Sequence, residues 1–78
     1  MNRKFYEAAL LRIRSKAVAA YGEVEAILKN PESVGSEQDA VDLISEKMHE
    51  LLINENAAAA LENYFGQVVA SATTNSSL

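Results

Sequence analysis

The sequence predicts an all-α fold: an antiparallel helical hairpin of a long helix 1 and a helix 2, followed by a short third helix or a helical extension. Two observations carry this prediction. Apolar residues recur at alternating spacings of four and three through the first 29 residues, and the one proline, Pro31, lies in a short turn-forming segment before a second apolar stretch. The composition agrees, because 49% hydrophobic and 23% charged residues are typical of globular chains.

Helix 1 is predicted from about Asn2 to Lys29. Asn2 is a suitable N-cap, and Asn30 is disfavoured in the helix because it precedes Pro31. The apolar positions of this helix form a heptad seam, which is a line of side chains along one face that specifies a partner helix. The seam consists of Tyr6, Leu10, Ile13, Ala17, Ala20, Val24 and Ile27.

Helix 2 is predicted to begin at Ser36, after a turn that contains Pro31 and Gly35. Ser36 and Asp39 have the spacing of a capping box, and acidic residues in a first turn are favoured by the helix dipole. A turn of this length joins two antiparallel neighbours, which predicts the hairpin. The predicted apolar stripe of helix 2 consists of Val41, Ile44, Met48, Leu51 and Leu52.

The stripe of helix 2 breaks at residues 54–56, and the apolar residues that follow point roughly 150° away at 100° per residue. The two asparagines there favour a separate third helix, because asparagine is a good cap and a mediocre helix former. Four alanines after the break permit the alternative, in which helix 2 continues and Leu61, Tyr64 and Phe65 form an intermolecular face. Gly66 is predicted to end this element, since glycine commonly follows a helix.

Residues 1–70 are predicted to be one helical domain, and residues 71–78, which have neither periodicity nor charge, a disordered polar tail. A domain of this size is near the lower limit for a single core, and the chain has no cysteine for a disulfide. We therefore expect a homodimer, formed through the seam or through a line of small residues on another side of helix 1. This line consists of Ala8, Ser15, Ala19, Gly22 and Ala26.

The formal net charge of −4 is unevenly spread, because residues 1–16 carry +4 and the remainder −8. The basic segment either complements an acidic neighbour within the fold or forms a patch for an acidic partner. No apolar stretch approaches the roughly 20 residues that span a bilayer. Together with the absence of cysteine, this predicts a cytoplasmic protein without a transmembrane segment.

The sequence contains no motif that specifies a reaction or a cofactor. Glu46 and His49 have the Glu-x-x-His spacing of di-iron helices, but such a site needs a second pair and two further carboxylates. With one histidine in the chain, only a symmetric dimer could complete it, so these two residues are weak metal candidates. A glycine-rich phosphate loop and a nucleophile with a nearby base are both missing. We expect a non-enzymatic protein without catalytic residues or a cofactor.

The expected function is protein–protein interaction, as a self-associating adaptor, regulator or accessory protein of the kind common in bacteria and phages. Aromatic residues are included among the expected interface residues because they dominate interface energetics. The expected interface residues are Leu10, Ile13, Ala17, Ala20, Gly22, Val24, Leu61, Tyr64 and Phe65.

Three other functions are compatible with the sequence. The protein could imitate DNA and inhibit a nucleic-acid-binding protein through the acidic residues of helix 2, which are Glu37, Asp39, Asp42, Glu46 and Glu50. It could instead bind nucleic acid through the basic residues of helix 1, which are Arg3, Lys4, Arg12, Arg14 and Lys16, although the net charge is negative. The third is the di-metal dimer built on Glu46 and His49.

Overall fold

The computed structural model describes residues 2–70, which form two helices packed antiparallel. Helix α1 spans Arg3–Lys29, a 3₁₀ turn spans Pro31–Val34, and helix α2 spans Glu37–Leu61. A π-helical segment, Glu62–Gly66, continues α2, and residues 67–70 are again α-helical. The molecule is a rod of 60 × 16 × 14 Å. The predicted hairpin is confirmed, while the predicted tail lies outside the described residues.

The helix starts depend on the cap residues that the sequence indicates. The Asn2 side-chain oxygen accepts a hydrogen bond from the Phe5 backbone N–H at 3.1 Å. At the start of α2, the Ser36 hydroxyl accepts from the Asp39 N–H at 3.1 Å, and the Asp39 carboxylate accepts from the Ser36 N–H at 3.4 Å. Before this capping box, Gly35 has a φ of 113°, a conformation that residues with a side chain rarely adopt. Both predicted starts are therefore confirmed.

The seam of α1 faces α2. Its buried members are Ala17, Ala20, Val24 and Ile27, and its half-buried members are Tyr6, Leu10 and Ile13. The other chain segments contribute the buried residues Ala40, Ala58 and Val69. Among residues 2–70, four of the seven buried residues are alanines, and no large side chain is fully buried. The helices thus approach closely, but the core between them is thin.

The inner face of α2 is rotated relative to the predicted stripe. Half-buried positions on this face include Lys47, Glu50 and Asn54. Three residues of the predicted stripe, Val41, Met48 and Leu52, are instead 60%, 46% and 55% exposed. The prediction was wrong here because it assumed that the inner face is wholly apolar, whereas ion pairs and a backbone hydrogen bond satisfy its polar groups.

Helix α2 does not break at residues 54–56. The Asn54 side-chain amide donates to the carbonyl oxygen of Glu50 at 2.8 Å, so this asparagine bonds within its own helix and caps no new one. The favoured third helix is therefore wrong, and the alternative of a helical extension is correct. Gly66 does not end the element either, because the chain continues past it in helical conformation to residue 70.

The π-helical segment changes which residues face α1. Before it, the inner face of α2 follows spacings of three and four through Leu51, Asn54, Ala58 and Leu61. A regular helix would next place Phe65 and Val68 on this face. The π turn inserts one extra residue, so Gly66 and Val69 take those positions, and Val69 is 3% exposed while Val68 is 48% exposed. The segment therefore turns Phe65 and Val68 outward.

Candidate protein-interaction surfaces

An open apolar groove runs along one side of the hairpin, where the two helices meet. Two adjoining depressions form it, and both are lined by Tyr21 and Leu51. The larger depression has a volume of about 430 Å³. We call this surface the interhelical groove and define it by Val18, Tyr21, Leu28, Met48 and Leu51. Since Val18 is 71% and Leu28 65% exposed, the described chain itself leaves the groove uncovered.

A second apolar surface lies at the end of the rod that is formed by the start of α1 and by the π-helical segment of α2. Phe5 and Phe65 line one depression there, together with the half-buried Leu61. The ring of Tyr64 packs edge-on against that of Phe65, with 6.3 Å between centroids and 80° between planes. Phe5 and Tyr64 are 75% and 73% exposed. We call Phe5, Tyr64 and Phe65 the terminal aromatic cluster.

The residues expected at interfaces fall into two groups. The first group packs between α1 and α2 and is covered by the chain itself: Leu10, Ile13, Ala17, Ala20 and Val24. The second group is exposed: Gly22, Tyr64 and Phe65, while Leu61 is half-buried on the inner face of α2 beside this group. Sequence reasoning missed the interhelical groove, although Val18, Tyr21 and Leu28 follow spacings of three and seven beside the seam. That second line of apolar residues was the available signal.

The line of small residues occupies the outer surface of α1. All five of its members are exposed. A Cβ atom added to Gly22 would meet nothing within 4 Å, so no close approach of the described chain requires a glycine there. This surface is open, but its geometry does not specify an occupant.

An ion-pair cluster lies on the side of the hairpin opposite the interhelical groove. The Lys47 ammonium is 3.1 Å from the Glu23 carboxylate across the helix interface and 3.4 Å from that of Glu50. Each glutamate lies two residues from a groove residue of its own helix, Glu23 from Tyr21 and Glu50 from Met48. Two residues correspond to about 200° around a helix, so the glutamates face away from the groove. The Glu23 carboxylate, and to a smaller extent the Glu50 carboxylate, raises the pKa of Lys47 above its usual value. This side therefore has ion pairs at the helix interface, whereas the lining of the groove is apolar except for Glu25, Lys29 and Glu55.

The charges of the hairpin are divided along its length. The loop half, residues 17–53, has two basic and eight acidic side chains, for a net charge of −6. The terminal half, residues 2–16 and 54–70, has five basic and three acidic side chains, for a net charge of +2. One ion pair, Arg14 to Glu62 at 2.7 Å, joins the helices in the terminal half. Within residues 2–70, Lys4 and Lys16 form no ion pair, so the basic segment is only partly matched inside the hairpin.

The weak metal candidates Glu46 and His49 are both exposed on α2. In the part of the chain that the structure describes, no three His, Asp or Glu side chains gather closely enough to hold a metal ion. No helix in residues 2–70 combines the length and the apolar character needed to cross a membrane.

Comparison with known proteins gave no family model, no curated protein and no solved structure that matches this chain.

Proposed function

We propose that this protein is a small non-enzymatic helical module that acts by binding other proteins and that associates with itself. One observation carries the proposal. Twelve large hydrophobic side chains among residues 2–70 are more than 40% exposed, on a rod that is only 16 Å wide. Seven of them lie together in the interhelical groove or in the terminal aromatic cluster, and contiguous exposed apolar surface in a small protein is typical of a protein-binding site.

The thin core supports self-association. A two-helix hairpin has only one internal interface, and four of the seven buried residues among residues 2–70 are alanines. Small domains bury a low fraction of their surface, and association with a second copy enlarges the hydrophobic core of a short chain. Association would cover apolar side chains that otherwise remain in water, at a gain of about 25 cal/mol per Å².

The terminal aromatic cluster is the favoured anchor for a different protein partner. Phe5, Tyr64 and Phe65 combine large apolar area with few rotatable bonds, which is why aromatic residues recur at interface hot spots. Their position at one end of the rod leaves most of its length for other contacts. Binding by such a surface needs no chemistry, so the expected effect on the partner is occupancy or recruitment.

Light scattering on the purified chain, over a dilution series and at two salt concentrations, tests self-association. We expect a dimer that dissociates on dilution and is not abolished by salt, because apolar contacts are screened little. A monomeric mass at every concentration would overturn the proposed self-association.

A matched capture experiment tests partner binding. The natural chain, Tyr64→Ser and Leu11→Ser are immobilised and exposed to extracts of the source cells, and retained proteins are identified and then rebound in purified form. Leu11 is the control because it is 68% exposed and outside both apolar surfaces. We expect a partner whose affinity falls at least tenfold with Tyr64→Ser and stays unchanged with Leu11→Ser. Equal loss with both variants would contradict the role of the aromatic cluster.

The second candidate function, an acidic mimic of nucleic acid, is favoured by the charge of the loop half. Glu37, Asp42 and Glu46 are exposed, and none of them forms an ion pair within residues 2–70. Asp39 and Glu50 are occupied by the capping box and by Lys47. This function predicts capture of a basic nucleic-acid-binding protein that elutes as salt is raised, whereas salt-resistant capture contradicts it.

A further inference from the structure

We infer that the interhelical groove is covered by the same groove of a second copy, with the two hairpins antiparallel and a two-fold axis near Tyr21 and Leu51. The inference rests on the proposal that the chain associates with itself, and it adds the face and the orientation. The product is a four-helix bundle, in which each hairpin supplies two helices.

The choice of face follows from the asymmetry between the two sides of the hairpin. The groove side presents Val18, Leu28 and Met48 to solvent, and the Glu25–Lys29 ion pair that also lines it is exposed and long, at 3.9 Å. The opposite side presents the ion pairs of Lys47, whose charged groups would lose water if they were covered. A two-fold interface brings the same patch from both copies together, so the apolar side can cover itself at the lowest cost.

The orientation follows from the charges. In a parallel dimer the two loop halves, each with a net charge of −6, would lie side by side. In an antiparallel dimer the acidic loop ends, which carry Glu32, Glu37 and Asp39, lie on opposite sides of the axis, and each reaches the basic segment of the other copy. The rod is 60 Å long, several times the screening length of roughly 8 Å in physiological salt, so the local neighbours decide the electrostatic energy. The antiparallel arrangement therefore avoids the strongest repulsion.

The position of the axis follows from the centre of the groove. Tyr21 and Leu51 line both depressions, which places them at its middle. A rotation about this point moves the acidic loop end of one copy about 14 Å past Tyr21 of the other, given a rise of 1.5 Å per residue. Arg12 and Arg14 lie near that level, and Arg14 lines a depression that adjoins the groove. The terminal aromatic cluster lies beyond the overlap and stays free for a partner.

Two matched variants test the face. Met48, in the groove, is 46% exposed, and Ile53, on the opposite flank of α2, is 52% exposed. We expect Met48→Glu to raise the dimer dissociation constant at least tenfold in sedimentation equilibrium, and Ile53→Glu to change it less than threefold. Leu28→Glu, on the other helix, should raise the dissociation constant as Met48→Glu does. Agreement between the two variants shows that the effect is not due to misfolding of one of them. Gly22→Ala should leave the constant unchanged, because the small-residue line is outside this interface.

A distance measurement tests the orientation. The chain has no cysteine, so Ser33→Cys at the loop end can carry a single spin label. The loop end lies about 14 Å from the level of Tyr21, because nine residues separate Tyr21 from Asn30. In an antiparallel dimer the two loop ends lie on opposite sides of the axis, so the labels are roughly 30 Å apart. In a parallel dimer they lie side by side, within about 20 Å.

Each result has a distinct meaning. A dimer that Met48→Glu and Leu28→Glu weaken selectively, with the longer label distance, supports the inference. A dimer weakened equally by Ile53→Glu, or one with the shorter distance, overturns it and leaves the proposed self-association intact. A monomer at all concentrations overturns both, while partner capture through Tyr64 would still stand.

Discussion

The hydroxyl of Tyr6 lies 3.2 Å from the position that a Cβ atom on Gly66 would take. The first turn of α1 thus packs against the π-helical segment of α2 at a point where a glycine leaves room for a tyrosine. Gly66 has no positive φ, so it is space and not backbone conformation that this contact requires. The relationship explains why a glycine lies inside a helix that was predicted to end there.

Gly66→Ala should change the free energy of unfolding by less than about 0.5 kcal/mol, because a gain in helix propensity of about 1 kcal/mol is offset by crowding of the Tyr6 hydroxyl. In a Tyr6→Phe background the hydroxyl is absent, and the same substitution should stabilise by about 1 kcal/mol. Urea unfolding of the four chains in a double-mutant cycle measures the difference. Additive effects would mean that the two residues do not meet.

Gly22→Ala should stabilise the hairpin by about 1 kcal/mol, since the residue is inside α1, and alanine is the better helix former. Nothing within 4 Å would obstruct the new methyl group. The midpoint of urea unfolding should rise while its slope stays constant, which indicates a change of stability alone. A loss of stability would instead indicate that another molecule approaches the small-residue line closely.

Val24→Asp should cost at least about 3 kcal/mol, because it places an unpaired carboxylate in the seam. Val24 is 8% exposed and packs between the two helices. Leu11→Asp is the control: this side chain is 68% exposed, and its replacement should cost less than about 0.5 kcal/mol. Far-UV circular dichroism during urea unfolding, at one protein concentration, compares the two. Similar losses would mean that the seam is not the core of the fold.

Local signals explain what could be predicted from the sequence. Asn2 and Ser36 act on backbone groups within three residues, so each helix start can be predicted without knowing the rest of the fold. The seam of α1 is equally clear, because its apolar spacing continues without interruption for six turns. These features are determined by short stretches of chain, and the structure has them where they were expected.

The face of α2 could not be predicted because it depends on distant partners. Lys47 faces inward because Glu23, 24 residues earlier, meets it across the interface. The π-helical segment shifts the inward face by one residue, and the contact that accompanies it is with Tyr6, at the other end of the chain. A pattern based on local periodicity therefore places Val68 inside and Val69 outside, the reverse of the structure. The α1 side of the groove had a signal in Val18, Tyr21 and Leu28, but its other wall depends on which face of α2 turns inward.

Lys47 should make stability fall at high pH. The carboxylates of Glu23 and Glu50 favour its ammonium form and raise its pKa above 10.5 in the folded chain. A group whose pKa is higher in the folded state contributes stability that is fully present below the unfolded pKa and is lost as pH rises through the folded pKa. The difference in unfolding free energy between the natural chain and Lys47→Met should therefore be constant at neutral pH and shrink above pH 10.5.

Lys29→Met is the control, because the Lys29 side chain is 76% exposed and lies 3.9 Å from Glu25. Urea unfolding from neutral pH to about pH 12 measures both differences. A Lys47 difference that does not shrink, or that shrinks no more than that of Lys29, would contradict the ion-pair cluster as the cause.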